Sequence, residues 1–135
     1  MTTPDIAASV ALIDTIDLSA VTRKVMQEEG WDAETAAKAE RRYRRFLCMM
    51  HLVPTLDIVP TEDIDKVWHQ HILFTRTYSE DCQRIFGRYI HHDPASGEAG
   101  EKATLHDGLE KTQALYFELF GEDYVEGTWL SYFLA

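Results

Sequence analysis

Ile64-Asp65-Lys66-Val67-Trp68-His69-Gln70-His71-Ile72-Leu73-Phe74-Thr75 reads in two ways, and the choice between them decides the fold. At a period of two, His69 and His71 share a face and make an H-x-H metal pair on a strand. At the helical period, Ile64, Val67, Trp68, His71 and Thr75 fall on one apolar stripe, and the two histidines point about 200° apart. The helical reading accounts for the apolar residues. It is also preceded by a start signal, Thr61 as N-cap with Glu62 and Asp63 at the positive end of the dipole. On this helix His71 is a core histidine with a hydrogen-bond partner, so an apolar residue of similar volume should be tolerated there. Asp65 and His69 lie one turn apart on a different face.

The flanks are helical too. Before this stretch, Ile6, Val10 and Ile13 mark a first helix, and Leu18, Val21, Val25 and Met26 a second, stopped near Gly30. Asp32 is the expected N-cap of a third, with Ala36, Tyr43, Phe46, Leu47 and Met50 as its apolar stripe. Pro54 and Pro60 bracket an extended connection, Val53 to Val59, that crosses the core surface or pairs as a short strand. Beyond the stretch, Thr77-Tyr78-Ser79-Glu80 matches a capping box, so a new helix is expected to begin there and to end at Gly87. Asp93 to Lys102 reads as a surface loop. A second box, Thr104 to Asp107, opens a helix through Leu105, Leu109, Tyr116, Leu119 and Phe120, closed by Gly121. Tyr124, Trp129, Leu130, Tyr132 and Phe133 make an aromatic tail that packs on the core or meets a partner. The expectation is an all-α fold of five or six helices, one compact domain over residues 1–135, with Trp68 and Tyr78 buried against the Ala36–Met50 helix.

At 135 residues and 45% hydrophobic content the chain can bury a core without staples. A net charge of −10 argues against nucleic acid as a partner. Lys38, Arg41, Arg42, Arg44 and Arg45 cluster against that background, with Glu34 and Glu40 at helical spacing, and read as a solvated, salt-bridged face. No apolar run has membrane-spanning length, so no membrane is expected as a partner. The N-terminus shows no signal-peptide pattern, and Cys48 and Cys82 form no CxxC. Free thiols and a cytoplasmic location are the expectation.

The residues able to bind a metal or move a proton concentrate between Ile64 and Pro94, where four of the six histidines fall. His71 and Cys82 would lie about 16 Å apart on one straight helix, too far for one ion. A turn between Thr75 and Tyr78 removes that obstacle. His91-His92 diverge if extended, so one of the pair faces inward. His69, Cys82 and one of His91 or His92 then form a candidate three-ligand N/S set, the count of a catalytic zinc with an open position, with Asp65 and Tyr78 supporting it. Iron or copper suits the same ligands. The alternative is a hydrogen-bonded His/Tyr/Cys cluster with no metal.

Val67-Trp68-His69-x-His71-Ile72-Leu73-Phe74-Thr75, Tyr78-x-x-x-Cys82 and Phe86-Gly87-x-x-Ile90-His91-His92-x-Pro94 resemble the glycine-rich domain-containing protein-like family. Thr112-x-x-Leu115-Tyr116-x-x-x-Phe120-Gly121 and Trp129 are similar to the tail of its short bacterial members. The resemblance covers about residues 54–129, and the glycine-rich tract of larger members is absent. It implies a shared fold and a shared site and names no reaction. Bacterial members often carry phenylalanine where His71 stands, in line with its place on the apolar stripe.

Three functions compete on these residues. The first is a small metal-binding protein, an enzyme or not, centred on His69, with a small-molecule ligand. The second is a protein-interaction module whose histidine cluster is structural and whose aromatic tail or arginine face meets the partner. The third is metal-free catalysis by a Cys82–histidine pair, which needs an exposed thiol with a lowered pKa.

Overall fold

The computed structural model describes residues 5–93 and 97–125. Six helices follow in order: α1 Ile6–Ile13, α2 Ser19–Glu29, α3 Ala33–Leu52, α4 Glu62–Leu73, α5 Thr75–Phe86 and α6 Glu101–Phe120. No strand occurs among the described residues, so the fold is all-α and the Val53–Val59 connection is irregular. Helix α3 is the axis, with α1, α2, α4 and α6 all packing on it. Its stripe of Ala39, Tyr43, Phe46, Leu47 and Met49 is buried to 2% exposure or less. Trp68 is buried against Phe46 of α3, ring centroids 5.0 Å apart, as the stripes predict; Tyr78 is buried too, but against Trp68 and His71 of α4.

Several ends follow their sequence signals. Asp32 accepts from the Thr35 N–H at 2.7 Å and caps α3. Gly30, Gly87 and Gly121 take left-handed conformations that stop α2, α5 and α6.

Neither capping box is used. The chain breaks at Phe74 (φ −82°, ψ 69°), which ends α4 and starts α5 with no side-chain cap, so Thr77 lies inside the helix. The expected turn exists, but packing of α5 on α4, with Tyr78 against Trp68 and His71, rather than a cap, sets its place. Helix α6 starts at Glu101 behind left-handed Gly100, and the Thr104 hydroxyl bonds back to the Gly100 carbonyl within the first turn.

Only part of the arginine cluster forms the expected solvated, salt-bridged face: Lys38 and Arg41 are exposed, and Arg44 pairs with Glu40 one turn before it at 3.5 Å. Arg42 is only 3% exposed, because it shares the stripe of Ala39 and Phe46. Its guanidinium donates to Asp63 (2.7 Å), Thr61 (3.0 Å) and the Tyr124 carbonyl (2.8 Å). Thr61 occupies the N-cap of α4 but spends its hydroxyl on Asp63 and Arg42 instead of a backbone N–H. Arg44 donates to the carbonyls of Ile13 and Ile16, holding the C-terminal end of α1. Arg45 binds the Tyr116 hydroxyl and Glu122. These arginines tie α3 to its neighbours. Of the aromatic tail, Tyr124 is buried in the core, while Trp129, Leu130, Tyr132 and Phe133 lie outside the described residues.

Candidate functional site

The break at Phe74 folds α5 back on α4, and the candidate residues divide among three environments. The first is buried. His71, 1% exposed, lies between Tyr43 on α3 and Asp81 on α5. Its Nδ1 is 2.7 Å from the Tyr43 hydroxyl and its Nε2 is 2.9 Å from Asp81 Oδ2. A carboxylate only accepts, so Nε2 carries the proton and Tyr43 donates to Nδ1. Burial holds His71 below the ordinary histidine range, against the opposing pull of Asp81. Burial likewise raises Tyr43 well above the ordinary tyrosine value. This is the hydrogen-bonded core histidine that the apolar stripe predicts.

Tyr78 and Cys82 belong to the same interior. The Tyr78 hydroxyl accepts from Trp68 Nε1 (2.9 Å) and donates to the Ile90 carbonyl (2.6 Å), which anchors the chain after α5. Cys82 is 3% exposed. Burial raises its pKa, while a hydrogen bond from the Ile90 N–H pulls the other way. A thiol raised in this way is not the activated nucleophile that Cys–His catalysis needs.

The second environment is the exposed face of α4. His69 points into a shallow recess with Val25, Glu28, Glu29, Asp65, Lys66 and Gln70.

The third is a cleft of about 710 Å³. The Pro54–Pro60 connection forms one wall, and Thr104, Leu105, Asp107, Gly108 and Lys111 of α6 form another. Met50, Trp68 and Ile90 line it, as do Arg88, His91, His92 and Asp93. Of the two later histidines, His92 turns inward. Its ring stacks on Trp68, centroids 4.1 Å apart and planes 1° apart, and its Nε2 donates to Asp65 Oδ1 at 2.5 Å. His91 is exposed, with its ring tilted against Tyr89. Asp65 therefore orients His92, not His69 as the one-turn spacing suggests. Gly108 lets α6 approach the connection, since a Cβ there would sit 2.9 Å from Val59 Cγ2.

Among the described residues no group of three or more His, Cys, Asp and Glu side chains is arranged to hold a metal ion. The structure brings Asp65 to His92 and Tyr78 to Cys82. It leaves His69, Cys82, His91 and His92 spread over three environments. The cleft-lining connection had no distinguishing signal in the sequence beyond its bracketing prolines. Among the described residues no helix is long and apolar enough to cross a membrane.

A family model described as UCP032817-like matches residues 9–116, a region that begins well before Pro54. Glycine-rich domain-containing protein 1 and glycine-rich domain-containing protein 2 of Arabidopsis thaliana are each 32% identical to the chain over 91 residues. Those residues are 64% of this chain and 11% and 12% of the respective plant proteins, so the chain spans about a ninth of the length of these curated relatives. No solved structure matches.

Proposed function

The chain belongs to the UCP032817-like family, and from its likeness to a short region of far longer proteins we propose that it is a protein-interaction domain. Its partner segment binds in the cleft between the Pro54–Pro60 connection and α6. The observation that carries this reading is the volume of about 710 Å³ beside a fixed aromatic platform. That volume is within the range of ligand-binding clefts. With Nε2 bonded to Asp65 and the ring flat on Trp68, His92 holds one orientation. Its Nδ1, which has no hydrogen-bond partner among the described residues, remains for a ligand.

The rim carries Asp57, Asp93 and Asp107 together with Arg88 and Lys111, so shape and hydrogen bonding select the ligand more than net charge does. A metal-centred function would require His69, Cys82 and a later histidine within about 2.0–2.3 Å of one ion, and their separate environments give that reading no support.

The test is selection of phage-displayed peptides on the full chain. Enriched peptides are expected to bind the wild type and to lose at least about tenfold with Leu105→Asp, a charge placed on the cleft wall. Phe117→Asp, on the exposed part of α6 outside the cleft, should leave binding unchanged. Failure to enrich any peptide, or equal effects of the two variants, would overturn the proposal.

A further inference from the structure

Deepening that reading of the cleft, and resting on it, we infer that the partner sets an uncharged donor side chain, a hydroxyl or an amide, against Nδ1 of His92. Asp65 fixes that preference from behind the ring. A carboxylate only accepts, so the hydrogen bond from Nε2 to Asp65 Oδ1 keeps the single proton of the neutral ring on Nε2. Nδ1 is then a lone-pair acceptor, and only a donor satisfies it.

Three observations put that nitrogen within a ligand's reach. Among the described residues no buried side-chain nitrogen or oxygen of a half-buried or buried residue lacks a hydrogen-bond partner. His92 is half-buried and its Nδ1 has no such partner, so Nδ1 is open to solvent. His92 lines the cleft, whereas Asp65 lines the separate recess beside His69. The two ring nitrogens point to nearly opposite sides, so the one turned from Asp65 lies on the cleft side. The stack on Trp68 covers one face of the ring and fixes its plane, so Nδ1 keeps its direction.

The charges around the cleft favour a neutral group there. Lys111 is already paired with Asp107 at 3.1 Å, which leaves Arg88 among the carboxylates of Asp57 and Asp93. A partner carboxylate at Nδ1 would set one lone pair against another. A cationic donor would leave water for a cleft that already holds Arg88, a cost that a hydroxyl or amide does not carry. The ligand class is a peptide that presents serine, threonine, asparagine or glutamine to His92.

Two measurements on the full chain test this. With isotope-labelled histidine at pH 8, NMR should show the His92 ring as the Nε2–H tautomer. Asp65→Asn, whose amide can also donate, should populate the Nδ1–H form as well. Peptides selected on the cleft should carry one serine, threonine, asparagine or glutamine that resists replacement by alanine, valine, leucine or methionine respectively. That replacement is expected to cost at least about tenfold in affinity, since it leaves Nδ1 unpaired in the complex. Against His92→Phe, which keeps a ring but no acceptor, it should cost less than about threefold. An Nδ1–H ring in the wild type, peptides that tolerate every such replacement, or an equal loss against His92→Phe would overturn the donor at His92 and leave the interaction domain standing. Failure of the selection itself would instead sink the interaction domain, and the donor with it.

Discussion

The imidazole of His92 lies flat on the indole of Trp68, with ring centroids 4.1 Å apart and planes 1° apart. They lie 24 positions apart in the sequence, so the stack ties the chain after α5 to the middle of α4. Asp65, one turn before His69 on that helix, holds the outer edge of the His92 ring. The cleft therefore has a wall whose orientation is set before any ligand arrives, which lowers the ordering cost of binding.

His92→Ala should remove the cover from Trp68, which is only 5% exposed. With Trp31 and Trp129 replaced by phenylalanine, Trp68 emission is expected to shift to the red, and stability to fall by about 0.5–1.5 kcal/mol, the usual worth of an aromatic pair. Asp65→Asn should shift the emission less, since the stack remains. Unchanged emission in His92→Ala would contradict the stack.

His71 should couple to Tyr43. The sequence predicts that an apolar residue of similar volume is tolerated at position 71, but the buried Tyr43 hydroxyl then loses its acceptor. His71→Phe is expected to cost about 1–3 kcal/mol, the penalty of one unsatisfied buried group. Adding Tyr43→Phe should recover about 1 kcal/mol or more in a double-mutant cycle measured by urea unfolding. Additive losses would show that the hydrogen bond contributes little.

The same buried ring makes stability depend on pH. Burial holds His71 below its ordinary value of 6.5 in the folded chain. Below that pH the unfolded chain takes up a proton that the folded chain refuses, so stability falls as pH drops and levels off once the folded ring also titrates. The His71 contribution is complete above about 6.5. Urea midpoints measured from pH 8 to pH 5 should show an acid loss that shrinks in His71→Phe/Tyr43→Phe. An identical loss in both proteins would assign it to other groups.

How much of this was legible depended on whether a residue's role followed from its own helix. The stripe through Ile64, Val67, Trp68 and His71 fixed the face of α4, and Asp32 and the three stop glycines fixed four ends, because those signals act within a turn or two. The partners of Asp65 and Arg42 were not legible. Each has a helical neighbour of suitable charge or shape, but each is satisfied by a residue from another element, His92 and Asp63. The capping boxes misled for the same reason, since packing between helices outweighs a cap worth about 1 kcal/mol. The metal set fell between these cases. Its residues do converge in sequence, yet helix direction sends Cys82 into the core and His69 to the surface.

Arg42→Met should be among the most damaging single changes. It leaves Asp63 without its guanidinium and the Tyr124 carbonyl without a donor, in a region nearly closed to water. Breaking a buried pair in this way costs about 3–5 kcal/mol. Arg42→Lys should recover only part of that loss, because one ammonium cannot match the planar fork that reaches Asp63, Thr61 and Tyr124 together. Thermal unfolding of the three proteins checks the order, and a fully stable lysine variant would mean that charge alone suffices.

The two thiols should be silent in the folded chain. Burial raises Cys48 from 9.0 to about 11 and also raises Cys82, so little thiolate exists at neutral pH and neither sulfur is open to reagent. A rise of two units alone lowers the thiolate fraction about 100-fold. Ellman's reagent is therefore expected to label neither cysteine at pH 8 on the time scale of a free thiol, and both at once in urea. The labelling rate then reports opening of the core around Tyr78 and Ile90, the same contacts that set the cleft wall. Fast labelling of Cys82 in the folded protein would have the opposite meaning. It would expose a reactive sulfur beside Tyr78 and return Cys–His catalysis to contention.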